Sequence, residues 1–469
     1  MNHSTTAVQH ADMDIITTRN PATGDALKQY PEFSPDEAAS IVDKSHKAFG
    51  DWRKTSFAHR AALMVKAAAL LKEQKNTLGA LMSAEMGKVH KEAVAEIEKC
   101  AWVCEYYAQK AETFLADEEV QTDLHHSFIS YQPIGVVLAV MPWNFPFWQV
   151  LRFAAPNLMA GNGAVLKHAS SVTGCALAIE NIFIKAGFPE NLFRTLVIGS
   201  KKVEAIIAHE HIRAVTLTGS TQAGRAVGEA AGRHLKKTVL ELGGSDPYII
   251  LADADLPKAA EICATSRLLN AGQSCIAAKR FIVVEAVYDD FIIELSAVFA
   301  KKKMGDPSDE SNDLGPQANE ALRDELHDQV LKSIAQGATC ITGGEIPDKA
   351  GAWYPPTILS DVRAPMPAYN EELFGPVAAV IKVKDTQEAI NVANASEFGL
   401  GGAVFTQDLA KGQDIARNMI ESGAVFVNSQ VKSDPRLPFG GIKNSGYGRE
   451  LSRFGIHEFV NIKTIGVAT

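Results

Sequence analysis

The chain of 469 residues lacks a run that could cross a membrane as a helix. Its most apolar stretch, 134–150, is broken by Pro142, Asn144 and Pro146, well short of the ~20 apolar residues a span needs. The N-terminal stretch shows neither the basic-then-apolar pattern of a secretory signal nor the arginine-rich pattern of a transit peptide, and residues 1–12 read as a mobile tail. Basic charge is not in excess: 46 Lys+Arg stand against 55 Asp+Glu, net −9, which argues against a nucleic-acid polymer as partner. Six cysteines are too few for a disulfide scaffold and point to free thiols in a reducing cytoplasm. HExxH and CxxC are missing, and Cys100 and Cys104 offer two ligands where a structural zinc wants four, so no metal is expected. GxGxxG, the P-loop, internal repeats and low-complexity segments are missing as well.

What remains is ordinary globular composition, 46% hydrophobic and 22% charged, long enough for more than one domain. Ser34-Pro35-Asp36-Glu37 spells a helix start: an N-cap, a proline at the first turn and a glutamate three residues on. Helical patterns continue through 61–71 and 89–115. From 136 onward, short apolar runs at 136–140, 164–167, 194–198, 214–218 and 238–242 alternate with helical segments, the pattern of a buried parallel sheet. A second alternating region, with strands expected at 248–251, 281–285, 378–383, 402–406 and 424–428, follows a paired-glycine hinge at Gly243-Gly244. The fold class is therefore α/β, and ligands are expected at the carboxyl ends of the strands.

Six places could carry chemistry there. Asn144, in a turn fixed by two prolines, could donate its amide to a developing oxyanion or merely satisfy the turn. Lys167 ends a buried strand and could hold ribose hydroxyls or phosphate, or simply snorkel. Gly219 and Ser220 join a strand to a helix, where Ser220 could cap the helix or touch phosphate. Glu241 could act as a general base if burial raises its pKa, or be a solvated loop carboxylate. Cys275, after Gly272-Gln273-Ser274, could be a nucleophile if its pKa falls below ~8.5, whereas the other five cysteines read as core. Glu372, before Phe374-Gly375-Pro376, could accept from vicinal hydroxyls or belong to a surface acidic pair.

Taken together and in order, PWNFP, the lysine run at 166–170, TGSxxxG, ELGG, GQxC, ExFGP and the 438–446 segment resemble the aldehyde dehydrogenase superfamily over about residues 14–465. The resemblance implies a Rossmann-type cofactor domain (13–116 and 134–243), a second α/β catalytic domain (244–440) and a small β bridging, oligomerisation element (117–133 and 455–469). It implies Cys275 as nucleophile, Asn144 in the oxyanion hole and Glu241 as the base that activates the hydrolytic water. Trp143, Lys167, Ser170, Gly219, Ser220, Leu242, Glu372 and Phe374 would bind the cofactor. Where relatives often carry a glutamate that accepts from the adenosine ribose, this chain has Ser170, which removes a charge that would repel a 2′-phosphate. NADP is therefore the expected cofactor, with NAD as the alternative.

Within the superfamily the chain is most similar to succinate-semialdehyde dehydrogenases. That similarity implies Arg152, eight residues after Asn144, and Ser433 as anchors for a substrate carboxylate, with Trp148 and Phe439 walling the funnel. Arg280 is a third cation that could equally be structural. Ile276 and Ala277 follow Cys275, so a vicinal disulfide switch is not expected. A broader aliphatic, aromatic or betaine aldehyde dehydrogenase is the alternative, and a non-catalytic relative the remote one. A homodimer or homotetramer, a small aldehyde as the only partner molecule and a cytoplasmic location complete the expectation.

Overall fold

The structure is a computed structural model and describes residues 14–469; the expected mobile tail at 1–12 lies outside them. The helix start holds in atomic detail. Ser34 caps Pro35–Trp52, accepting from the Glu37 N–H, while Glu37 reaches back to the Ser34 N–H at 2.8 Å. The long helix His90–Phe114 buries Ala93, Ile97, Cys100, Cys104, Tyr107 and Ala111, a spacing of three and four that keeps one face on the neighbouring helix Phe57–Glu73. Each large apolar side chain so buried contributes roughly 1.5–3 kcal/mol.

Two sheets position the site. The first has six strands in the order Gly446–Tyr447, Lys237–Glu241, Ile212–Thr218, Val136–Met141, Gly163–His168 and Phe193–Thr195, all parallel except the first. Register pairs Val140 with both Lys167 and Leu217, and Thr218 with Glu241. The Asn144 turn, Lys167, Gly219 and Glu241 thus emerge along one carboxyl edge. The second sheet has seven strands, from Thr339–Thr342 through Ala278–Val284 and Asp246–Ile250 to Ala424–Val427, with only Thr339–Thr342 antiparallel to its neighbour. A third sheet pairs Val460–Val467 with His126–Pro133 over their whole length and adds Glu118–Glu119.

Several elements differ from the sequence expectation. The strand expected at 194–198 is only Phe193–Thr195; beyond it the Ile198 N–H turns back to the Leu196 carbonyl at 3.0 Å and the Val197 carbonyl accepts from Phe33 at 2.8 Å, outside the sheet ladder. The hairpin Ile15–Arg19 with Ala26–Pro31 was not legible, since its second strand is nearly all exposed and shows no apolar alternation. Cys340 is corrected: it sits half-buried on the edge strand Thr339–Thr342, not in the core, while Cys100, Cys104, Cys175 and Cys263 are buried. Gly243-Gly244 does connect the two sheets, but its glycines serve close approach. A Cβ at Gly243 would lie 2.5 Å from a Glu372 oxygen, and one at Gly244 2.8 Å from the Cys275 carbonyl. Among the described residues no helix is long and apolar enough to cross a membrane.

Candidate active site

Two cavities meet at Cys275. One, of about 370 Å³, runs along the carboxyl edge of the six-stranded sheet and is lined by Trp143, Asn144, Gly219, Ser220, Leu242, Glu372 and Phe374 among others. The other, of about 350 Å³, is lined by Trp148, Arg152, Ser433 and Phe439, together with Lys99. Cys275 and Gln149 line both. Lys167 and Ser170 lie outside the lining of the first cavity, at the neighbouring strand end and the turn that follows it.

The loop carrying Cys275 is held in an unusual backbone. Asn270, Ala271 and Gly272 all have positive φ, at 55°, 50° and 76°. At the two non-glycine positions, Asn270 and Ala271, this costs about 1–3 kcal/mol each unless the surroundings over-determine it. Here Glu92 accepts from the Asn270 N–H at 3.0 Å, and the Asn270 amide donates to the Asn144 carbonyl at 2.8 Å. The Gln317 amide donates to the Ala271 carbonyl, and Gln273 accepts from the Ala318 N–H. A Cβ on Gly272 would lie 2.2 Å from the Gly375 backbone, which explains the glycine of the GQxC string. Lys279 donates to the carbonyls of Ser274 and Cys275, at 2.9 and 2.7 Å.

Asn144 is oriented from every side. Its side-chain oxygen accepts from Gln149 at 3.1 Å, and its NH₂ gives one hydrogen to the Gln273 carbonyl at 3.0 Å, which leaves the second for a ligand. Its own carbonyl accepts from Lys88 at 3.0 Å. Lys88 is fully buried against Glu96, whose second oxygen takes the N–H groups of Phe147 and Trp148 at the start of helix Trp148–Met159. Removing one partner of a buried pair leaves an uncompensated charge, so Lys88 and Glu96 must act together. Neither was singled out from the sequence, where an isolated lysine and glutamate look like solvated helix surface.

The Cys275 thiol corrects an expectation. Burial, opposed by Arg152 and Lys279, pushes it up to about 12 rather than below its free value. The resting group is therefore a neutral thiol. Inactivation of the cofactor-free protein by iodoacetamide should rise roughly tenfold per pH unit between pH 7 and 9, because only the thiolate reacts. A plateau below pH 8 would contradict this.

Glu241 is buried, and among the described residues neither of its oxygens has a hydrogen-bond partner. Burial and then the Glu450 carboxylate raise it well above the ordinary carboxylate range, and Arg152 pulls it back. This burial does not fit a solvated loop carboxylate. Glu241 lines neither cavity; it lies behind Gly440, where a Cβ would come within 2.7 Å of it.

Arg152, the expected carboxylate anchor, stands in the funnel with a partner of its own. It lines the second cavity, yet its guanidinium is already committed to buried Glu450, donates to Thr218 at 3.2 Å and stacks over Phe439 at 4.8 Å. Glu450 is brought there by mutual backbone bonds with Phe439, at 2.7 and 2.8 Å. Arg280 is structural: it donates to the carbonyls of Ser245, Val392 and Ala393.

On the first cavity, Trp143 and Phe374 meet edge to face at 5.8 Å. Ser220 caps helix Thr221–Arg233 and accepts from the Ala223 N–H at 3.2 Å; the Gly219 N–H is used by the Glu241 carbonyl. Leu242 packs against Gly224, where a Cβ would lie 2.5 Å away. Glu372 accepts from the Gly244 N–H at 3.0 Å and pairs with Lys279 at 3.2 Å. Lys167 is largely buried, its pKa lowered by that burial, and forms no ion pair among the described residues.

The model of the aldehyde dehydrogenase family matches residues 8–465. A protein of Synechocystis sp. named "Probable succinate-semialdehyde dehydrogenase [NADP(+)]" is 51% identical over 97% of this chain and all of its own length. A Mycobacterium leprae protein named "Succinate-semialdehyde dehydrogenase [NADP(+)]" is 47% identical, again over 97% of this chain and all of its own. The solved structure of a succinic semialdehyde dehydrogenase from Streptococcus pyogenes in complex with NADP+ superimposes with a TM-score of 0.94 at 39% identity, covering 97% of this chain and 100% of that one.

Proposed function

We propose, from the premise that this chain belongs to the aldehyde dehydrogenase family, that it oxidises succinic semialdehyde, or a similar short semialdehyde, to the acid with NADP. The observation that carries the reading is the meeting of two cavities, a cofactor-sized groove and a cation-bearing funnel, at one cysteine.

The residues present fit a nicotinamide dinucleotide. The groove is walled by the Trp143 and Phe374 rings, and at the neighbouring strand end Lys167, three residues before Ser170, offers an ammonium without an ion-pair partner among the described residues. When bound, the nicotinamide supplies the acceptor for the hydride that leaves the substrate carbon. Cys275 forms the sulfur–carbon bond to the aldehyde as its proton passes to water in the cavity, and the carbonyl π electrons move onto oxygen. The free Asn144 hydrogen and the Cys275 N–H hold the oxygen that becomes charged; such donors are each worth roughly 2.7–4 kcal/mol. Loss of hydride leaves a thioester on Cys275. Glu241 takes a proton from water, the hydroxyl adds to the thioester carbon, and the sulfur departs as the acid is released.

An assembly through the exposed edge of Val460–Val467, where Ile462 is 62% exposed, belongs to the same reading, as a homodimer or homotetramer. Six unpaired cysteines support a reducing, cytoplasmic setting.

The test is kcat/KM for succinic semialdehyde and for butanal, each with NADP and with NAD. The semialdehyde with NADP should be the best pairing by at least about tenfold, since one charge-assisted contact to a substrate or cofactor anion is worth ~1.5–3 kcal/mol. A clear preference for NAD would remove the Ser170 argument, and equal use of butanal would remove the semialdehyde.

A further inference from the structure

The chain that leaves Cys275 runs directly into the buried strand Ala278–Val284, where two cations stand side by side. Successive residues of a strand point to opposite faces. Arg280 takes one face and holds the carbonyls of Ser245, Val392 and Ala393. Lys279 takes the other, with its side chain 1% exposed, and reaches back to the loop it follows. Its ammonium has three hydrogens and three acceptors: the Ser274 carbonyl at 2.9 Å, the Cys275 carbonyl at 2.7 Å and a Glu372 oxygen at 3.2 Å. None is left for a ligand. The Ser274 carbonyl also accepts from the Ala277 N–H at 3.1 Å, but the Cys275 carbonyl has Lys279 as its only donor among the described residues.

The two carbonyls belong to the peptide groups on either side of the Cys275 Cα. A trans peptide points its N–H away from its carbonyl, so a grip on the Ser274 oxygen aims the Cys275 N–H away from Lys279. That N–H forms no hydrogen bond among the described residues. Holding both peptide planes also fixes φ and ψ at Cys275, and with them the direction of its Cβ and sulfur. We propose that Lys279 is the positioning residue that sets the Cys275 sulfur and the Cys275 N–H in one geometry, so that nucleophile and oxyanion donor meet the same substrate carbonyl. The proposal rests on the oxyanion role given to that N–H above. The third hydrogen ties the same ammonium to Glu372 on the wall of the cofactor groove, so the loop is registered against the dinucleotide site as well.

The experiment measures two rate constants, at one pH, in the wild type and in Lys279→Met. One is single-turnover NADPH formation, with enzyme in excess over succinic semialdehyde and NADP saturating. The other is alkylation of Cys275 by iodoacetamide in the cofactor-free protein. Both need the thiolate, so both feel the loss of a nearby cation. Only the first builds an oxyanion at the Cys275 N–H. Lys279→Met should therefore slow single turnover about 10- to 100-fold, the cost of misplacing a reacting group or its donor, and slow alkylation by a much smaller factor. Equal factors would reduce Lys279 to a charge acting on the thiol, and that overturns the proposal. So does a variant in which only the fraction of reacting protein falls while both rate constants stay in place, the mark of a merely structural lysine. If Lys279→Met does not fold, Lys279→Ser, which admits water beside Glu372, is held to the same comparison. If the wild type prefers another aldehyde, that aldehyde replaces the semialdehyde in the assay and the proposal stands or falls as before. A wild type that oxidises no aldehyde is a different failure: it removes the proposed function and this inference with it.

Discussion

Cys275→Ala should abolish NADP reduction by the chain, by about 10⁴-fold or more, the scale on which loss of a covalent nucleophile is felt. Cofactor binding should survive, because the groove is formed by strand ends and rings that do not depend on the sulfur. Folding should survive too: removing one sulfur from a half-buried site costs about 1 kcal/mol or less, and the loop is held by its backbone bonds to Asn144, Gln317, Lys279 and Glu92. No other thiol can substitute. Cys100, Cys104, Cys175 and Cys263 are buried in helices, and Cys340 lies on the edge of the seven-stranded sheet. The check is a stopped-flow trace of NADPH formation with a parallel titration of NADP. An alanine variant that bound NADP and still turned over at a hundredth of the wild-type rate would remove the cysteine from the mechanism.

The elements around this site differ in how far they were legible. Strands buried on both faces announce themselves as short apolar runs, so Val136–Met141 and Ile212–Thr218 stand close to where 136–140 and 214–218 placed them. The motif residues at their carboxyl ends followed directly. What the sequence could not express was the pairing of charges. Arg152 reads as a free cation because Glu450, its partner, lies 298 positions away and reaches it only through the Phe439–Glu450 bridge. Lys99, followed by Cys100 in a helix, carries no local sign that its neighbours in space are Trp148 and Ser433. The direction of the Cys275 shift, left as a condition in the sequence, was not legible for a related reason. The burial that raises it comes from segments remote in sequence, as the Gly375 backbone packed on Gly272 illustrates.

The second large effect concerns the release of product. Glu241→Gln keeps the shape of the side chain and removes its ability to take a proton. Acylation does not need that proton transfer in the reading given above, so mixing the variant with substrate and NADP should still produce one NADPH per active site. Turnover beyond that burst should slow by about 10²–10⁴-fold, the usual worth of a general base. The pH profile carries the same argument. Glu241 works in its ionised form, and burial with Glu450 raises its pKa well above the ordinary ~4.3. Lowering the pH through that raised value protonates the base, so wild-type kcat should fall on the acid side at a pH where an exposed glutamate would still be ionised. In Glu241→Gln this limb should vanish. Glu450→Gln removes the neighbouring negative charge and frees Arg152 to face Glu241, so the limb should move to lower pH. Rapid quench with acid, followed by mass measurement, should find the succinyl group on Cys275 in the Glu241 variant. Full turnover in that variant, or an absent burst, would assign the hydrolytic step to some other group.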